Sequence, residues 1–138
     1  MTVSIDLTDD LKTCFELRRV VFIEEQGVPV EEEIDALDVE SLHLLARDGD
    51  TPVGTARVYI ADDIAKIGRV CVLKSHRGAG LGAALIMAAL EVSAGKARTA
   101  KLGAQLHALG FYETLGFAAT GPVYDDAGID HRDMVRPL

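Results

Sequence analysis

Apolar and polar residues alternate at Val3, Ile5 and Leu7, the period of two that a half-buried strand requires, and Thr8 closes the run as a candidate helix N-cap. Leu11, Cys14, Phe15, Val21 and Phe22 then recur at roughly helical spacing, which predicts an amphipathic helix ending before Gly27 and Pro29. Glu31–Asp38 has only scattered apolar residues and reads as a loop or short helix. Ser41–Arg47 and Val53–Ile60 flank Asp48-Gly49-Asp50, the pattern of an antiparallel hairpin, and Lys66–Leu73 is a further strand. The Ala- and Leu-rich run from Gly80 to Ala94 is a helix stopped by Gly95. Thr99–Gln105 predicts a strand, Ala108–Leu115 a short helix, and Phe117–Thr120 and His131–Arg136 the last two strands.

The strand, Gly-rich turn, helix and strand between Ile67 and Gln105 form a βαβ unit, whose crossover is right-handed because the two strands must lie parallel. Everything before it reads as antiparallel. The expectation is a single α/β domain over residues 1–138 with a mixed sheet, without repeats or linkers.

Composition narrows the choice of partners. Apolar residues make up 49% of the 138, enough for a core that needs no metal or disulfide. The formal charge of −8 argues against nucleic acid, yet it is unevenly spread. Between Ile64 and Tyr112 seven basic residues face the single acid Glu91, a net of +6 inside a frame of −14. Such a segment is a place to look for an anionic ligand. Cys14 and Cys71 stand apart with no metal-ligand spacing, and read as packing residues in a reducing, cytoplasmic protein. No apolar run is long enough to cross a membrane, and Met1–Asp10 lacks the basic start and apolar centre of a signal peptide.

The chemistry concentrates at Arg77-Gly78-Ala79-Gly80-Leu81-Gly82, between a strand and a helix. Glycines there let successive backbone N–H groups converge at the positive end of a helix dipole, which suits a phosphate, and Lys74, His76 and Arg77 add charge. No Gly-Lys-Ser/Thr follows, so a Walker A loop is excluded. Gly78, Gly80 and Ala83 satisfy the spacing of a dinucleotide fingerprint, but no acid closes the next strand and too little chain remains for a doubly wound sheet. A turn that merely permits tight strand–helix packing is the plain structural alternative.

The same six residues resemble the Arg/Gln-x-x-Gly-x-Gly/Ala motif of GNAT N-acetyltransferases, and Gln105, Ala108, Phe111-Tyr112 and Leu115-Gly116-Phe117 resemble that family's second motif. Phe22–Pro29, Asp35, Asp38, Ile67–Val70, Leu102–Gln105 and Val123–His131 are further similar to its ElaA/YjcF-like subgroup. The resemblance implies a mostly antiparallel sheet with helices on both faces and one splayed parallel pair, and direct transfer of an acetyl group from acetyl-CoA to an amine, with no metal. It implies that the backbone of Arg77, Gly78, Ala79, Gly80, Leu81 and Gly82 holds the pyrophosphate, that Val70, Cys71 and Val72 pair with the pantetheine arm, and that Gln105 contacts it. By the same resemblance the Val72 N–H is the oxyanion donor, and Tyr112 lies near the sulfur as general acid; a core aromatic is the competing reading of Tyr112.

An ammonium must lose a proton before it attacks, and the Glu that many family members carry on the preceding strand corresponds here to Gly68. Glu24, Glu25, Glu33 and His43 are the candidate bases, with solvated helix-end carboxylates and a satisfied strand histidine as their structural alternatives. His107 reads as a capping or surface residue. Glu24 to Glu40 holds eight acids and no base, which suits a cationic acceptor, either a small molecule or a peptide amine, and equally suits solubility. A non-catalytic acyl-CoA sensor is the alternative function. Monomer and homodimer both remain open.

Overall fold

The computed structural model describes residues 2–138. In chain order it contains β1 (Val3–Thr8), α1 (Leu11–Arg18), a π-helical turn (Arg19–Glu25), α2 (Val30–Glu33), a 3-10 turn (Ala36–Glu40), β2 (Leu42–Asp48), β3 (Thr51–Ala61) and β4 (Ile64–Val72). Then come α3 (Leu81–Ser93), β5 (Thr99–Gln105), α4 (Leu109–Thr114), β6 (Ala118–Asp126) and β7 (Ile129–Pro137). The seven strands form one sheet in the order β1-β2-β3-β4-β5-β7-β6. Every neighbouring pair is antiparallel except β4 and β5.

Adjacent residues of a strand point to opposite faces, so Leu44 and Leu45 tell which helix covers which side. Leu44 joins Ala56, Val58 and Ile67 beneath Leu81, Leu85, Ile86 and Ala89 of α3, whereas Leu45 joins Cys71 beneath Cys14 and Leu17 of α1. Helices therefore lie on both faces. Cys14 and Cys71 are buried free thiols in the α1 layer, and burial pushes the Cys71 thiol up to about 12.

Several boundaries differ from the sequence reading. The N-cap of α1 is Asp10, whose Oδ1 accepts from the Thr13 N–H (3.2 Å), while Thr8 accepts from the Asp10 N–H through its hydroxyl (3.1 Å). The predicted first helix widens into the π-helical turn from Arg19 onward. β3 and β4 form a hairpin around Asp62 and Asp63, both at positive φ (52° and 65°), a conformation that a short acidic side chain tolerates. β6 runs six residues past the predicted Thr120 to Asp126, then turns through Ala127 and Gly128 into β7. That extension is exposed throughout, Val123 and Tyr124 included, so no buried apolar alternation announces it.

Two irregularities open the sheet. The parallel ladder between β4 and β5 holds only where Ile64, Ala65 and Lys66 face Thr99, Ala100 and Lys101; beyond it the strands part. On its other edge β4 carries a bulge, because the register with β3 passes from Arg57 opposite Gly68 to Thr55 opposite Cys71 with one extra residue on β4. Arg69 takes the left-handed conformation there (φ 52°).

Candidate active site

Where β4 and β5 part, a cleft of about 570 Å³ opens, walled by Gly68, Arg69 and Val70 of β4, Gly103 and Gln105 of β5, and Tyr112 of α4. Residues from the α2 region, β6 and β7 complete it, Glu33, Asp35, Tyr124 and His131 among them. Leu73 donates its N–H to the Val53 carbonyl (2.8 Å). In the alternation of an antiparallel ladder the N–H and C=O of Val72 then face the other edge, the one β5 has vacated. The Val72 carbonyl accepts there from Arg77 Nε (2.9 Å).

Cys71 differs. It sits directly opposite Thr55 in the position whose amide and carbonyl turn toward β3, and its side chain is in the α1 core. Among the three residues expected to form a hydrogen-bonding rail, Cys71 thus offers the cleft neither backbone nor side chain. The cause is the two-residue period of a strand.

The Gly turn stands at the N-terminus of α3. Gly78 and Gly80 have φ of 84° and 81°, and Gly80 is the N-cap with no side chain capping the helix. A Cβ placed on Gly78, Gly80 or Gly82 would meet no atom within 4 Å, so the surface above these amides is open. The charged residues beside it are more engaged than expected. Arg77 binds Glu25 (2.9 Å) as well as Val72, and His76 Nε2 meets Asp48 (2.9 Å). Leu81 turns its side chain into the core, leaving only its amide for the turn.

Tyr112 stands edge-on to Phe111 and Phe117, with ring centroids 5.0 and 6.2 Å away, and packs against the α3 core. Burial raises its phenol above the usual value, which keeps it protonated and able to donate. Gln105 accepts through Oε1 from His107 Nε2 (2.7 Å).

The candidate bases fare differently. Glu24 pairs with Arg19 and Glu25 with Arg77 on the exposed π-helical turn, outside the cleft wall. His43 is buried beneath the 3-10 turn with Nε2 against the Asp38 carbonyl (2.7 Å), also away from the cleft. Glu33 reaches the wall, but both its carboxylate oxygens are taken by Arg18 (2.5 and 3.0 Å). The pairings of Glu25 with Arg77 and of Glu33 with Arg18 join residues far apart in the chain, which local spacing does not show.

That pairing is a buried ionic lattice with no mark in the sequence. Arg18, 1% exposed, binds Glu33 and Asp38; Arg57 binds Asp35 (2.8 Å) and Asp38 (3.0 Å); Arg69 binds the Glu33 carbonyl (3.0 Å) and Asp35 (3.4 Å). Burial would raise the Asp38 carboxyl, but hydrogen bonds from Arg18 and Arg57 overcome this and hold it at about 2. The lattice ties the acidic α2 segment to β3 and to the β4 bulge, and it neutralises Glu33, Asp35 and Asp38 from within. His131 carries no local signal in the sequence: register with β5 and β6, not spacing, puts it on the cleft wall. Among the described residues no cluster of potential ligands could hold a metal ion, and no helix is long and apolar enough to cross a membrane.

The model of the acetyltransferase (GNAT) domain family matches residues 17–138. The uncharacterized N-acetyltransferase YjcF of Bacillus subtilis is 45% identical over 131 residues, covering 93% of each chain. The crystal structure of Escherichia coli ElaA superposes with a TM-score of 0.87 at 30% identity, over 98% of this chain and 99% of that one. A GNAT family acetyltransferase from Elizabethkingia anophelis, solved with acetyl-CoA bound, shares the fold at a TM-score of 0.75 and 17% identity, over 99% and 98% of the two chains.

Proposed function

The chain belongs to the GNAT acetyltransferases, and on that premise we propose that it transfers an acetyl group from acetyl-CoA directly to a primary amine of a small molecule or peptide. The observation that carries this reading is the parting of β4 and β5, with the Val72 N–H turned into the gap and an uncapped Gly turn at one end. The amides from Arg77 to Gly82 would hold the pyrophosphate without loss of side-chain freedom. Open glycine surface with positive φ fits a ligand that must approach the backbone closely. Val70 and Val72 would hydrogen-bond the pantetheine amides as an added strand does, and Gln105 lies across the gap from them. Arg77 positions the rail by holding the Val72 carbonyl.

As the amine attacks, charge grows on the thioester oxygen, and the Val72 N–H would donate a hydrogen bond to it. Tyr112 then gives its proton to the departing thiolate, a task for which a raised phenol remains loaded at neutral pH. The amine arrives as a cation, and Glu32 and Asp126 on the cleft wall suit that charge. Two unpaired cysteines suit a reducing, cytoplasmic setting.

Acetyl transfer to a panel of primary amines, followed by thiol release, tests the reading. Tyr112→Phe should lower kcat on the order of 10²-fold with CoA affinity retained. CoA binding without turnover on any amine would favour the sensor alternative, which the absence of a side chain at Gly68 makes a real competitor.

A further inference from the structure

We propose that His131 is the general base of this site. The proposal rests on the acetyl-transfer reading above and adds the group that takes the proton from the acceptor ammonium.

The ring is held in one tautomer. Nδ1 lies 2.7 Å from the Ile129 carbonyl, which can only accept, so Nδ1 carries the hydrogen and Nε2 the lone pair. Among the described residues Nε2 has no hydrogen-bond partner, although His131 is only 8% exposed. No buried side-chain nitrogen or oxygen among the described residues lacks a partner, so this nitrogen opens onto the cleft that His131 lines. The ring is also fixed in orientation. Tyr124 stacks on it at 5.9 Å and 23°, and Tyr124 is itself pinned by donating to Asp133 Oδ1 (2.8 Å). A Cβ on Gly103 would collide with the Tyr124 hydroxyl, so the absence of a side chain on β5 makes room for the support.

Register places this base on the side of the cleft opposite the acid. His131 pairs directly with Gln105 of β5 and Tyr124 of β6, and directly paired residues share a face. Leu102 and Ala104 of β5 are buried with α3, so Gln105 and His131 face away from α3, whereas Tyr112 packs with the α3 core. Both line one cleft, which passes between the parted strands. Sulfur on one side and amine on the other can be served at the same time.

The other proton acceptors on the wall are less suited. Glu33 and Asp35 are occupied by arginine donors, and His107 spends Nε2 on Gln105 from an exposed position. The ionisable groups sharing the wall with His131 are Tyr124 and Asp126 of β6, Tyr112 of α4, His107, Lys66 and Arg69 of β4, Arg57 and Tyr59 of β3, and Glu32, Glu33 and Asp35 of the α2 region. Imidazole is the side chain whose ordinary titration lies nearest neutrality.

The protons balance. His131 Nε2 takes one proton from the ammonium and passes it to water. The free amine attacks the carbonyl carbon, forming the C–N bond. As the C–S bond breaks, Tyr112 protonates the sulfur and is reloaded by the second proton leaving nitrogen. One ammonium and one thioester thus yield an amide, a thiol and one proton.

His131→Gln should lower kcat/KM on the order of 10²-fold or more, leave CoA affinity unchanged and abolish the limb of the wild-type pH profile along which rate rises through imidazole ionisation. His131→Ala should regain part of its rate with added imidazole. A wild-type enzyme active on an amine whose His131→Gln variant keeps both rate and limb overturns the base while leaving acetyl transfer intact; a wild type inactive on every amine removes both. Ring ¹⁵N correlations of the unliganded wild type give a check that needs no acceptor: the neutral His131 ring should carry hydrogen on Nδ1, and hydrogen on Nε2 would refute the assignment.

Discussion

At the scale of single residues, the Arg18 guanidinium decides what the acidic segment is for. It receives Glu33 side-on, reaches Asp38 with its other edge and lies 4.9 Å over the Phe15 ring, all while 1% exposed. A buried cation needs such complete pairing, since an uncompensated charge there costs several kcal/mol. The consequence is a pH dependence with a definite sign. Asp38 has its carboxyl lowered from 3.8 to about 2, so its contribution is complete above about pH 4 and is lost as pH falls through 2. The contribution is about 2 kcal/mol. Urea unfolding at pH 7 and pH 3 should show a fall in stability that is smaller in Asp38→Asn, a variant already destabilised at pH 7 by roughly 3 kcal/mol because Arg18 and Arg57 lose a shared partner. An identical pH slope in the two proteins would remove Asp38 from this role.

Among the elements, β3 is the one on which the rest is built. It is buried from Val53 to Val58 on both faces, with α3 on one and α1 on the other. Gly54 is closely covered: a Cβ there would lie 3.0 Å from the Cys71 carbonyl of β4 and 3.1 Å from Leu85 Cδ1 of α3. Gly54→Ala should therefore destabilise by about 1–3 kcal/mol through overpacking, measurable as a lower urea midpoint at unchanged m-value. The strands and helices with apolar periodicity, from β1 to α4, were legible because burial on one face writes itself into local spacing. The Gly turn and Tyr112 were legible because a motif carries them within a few residues. The β4 bulge was not, since its left-handed position holds Arg69 where a glycine would have signalled it. Nor were the Arg18, Arg57 and Arg69 pairings or the setting of His131, each made by residues at least 15 apart in sequence or by strand register.

For the molecule as a whole, the net charge of −8 conceals a division of labour: Glu33, Asp35 and Asp38 are paired with internal arginines, while the turn before α3 presents backbone amides with no side-chain cap. Ligand binding at that turn should therefore survive in the acidic protein and be visible as stabilisation. CoA at about a hundred times its Kd should add about 2.7 kcal/mol and raise Tm on the order of 8 °C. Gly80→Glu, which puts a side chain and a like charge at φ 81°, should fold yet lose this shift, and a retained shift would move the phosphate site elsewhere. The short parallel ladder has a mechanical side as well. Three residue pairs, Ile64 to Lys66 against Thr99 to Lys101, are all the ladder that joins the β1–β4 half of the sheet to the β5–β7 half. The two halves are leaves bound along one brief spine, with the apolar face of α3 strapped across both. A rotation about that spine changes the width of the gap while every ladder within each leaf stays whole, so a book-like opening is the motion this architecture permits at least expense in hydrogen bonds.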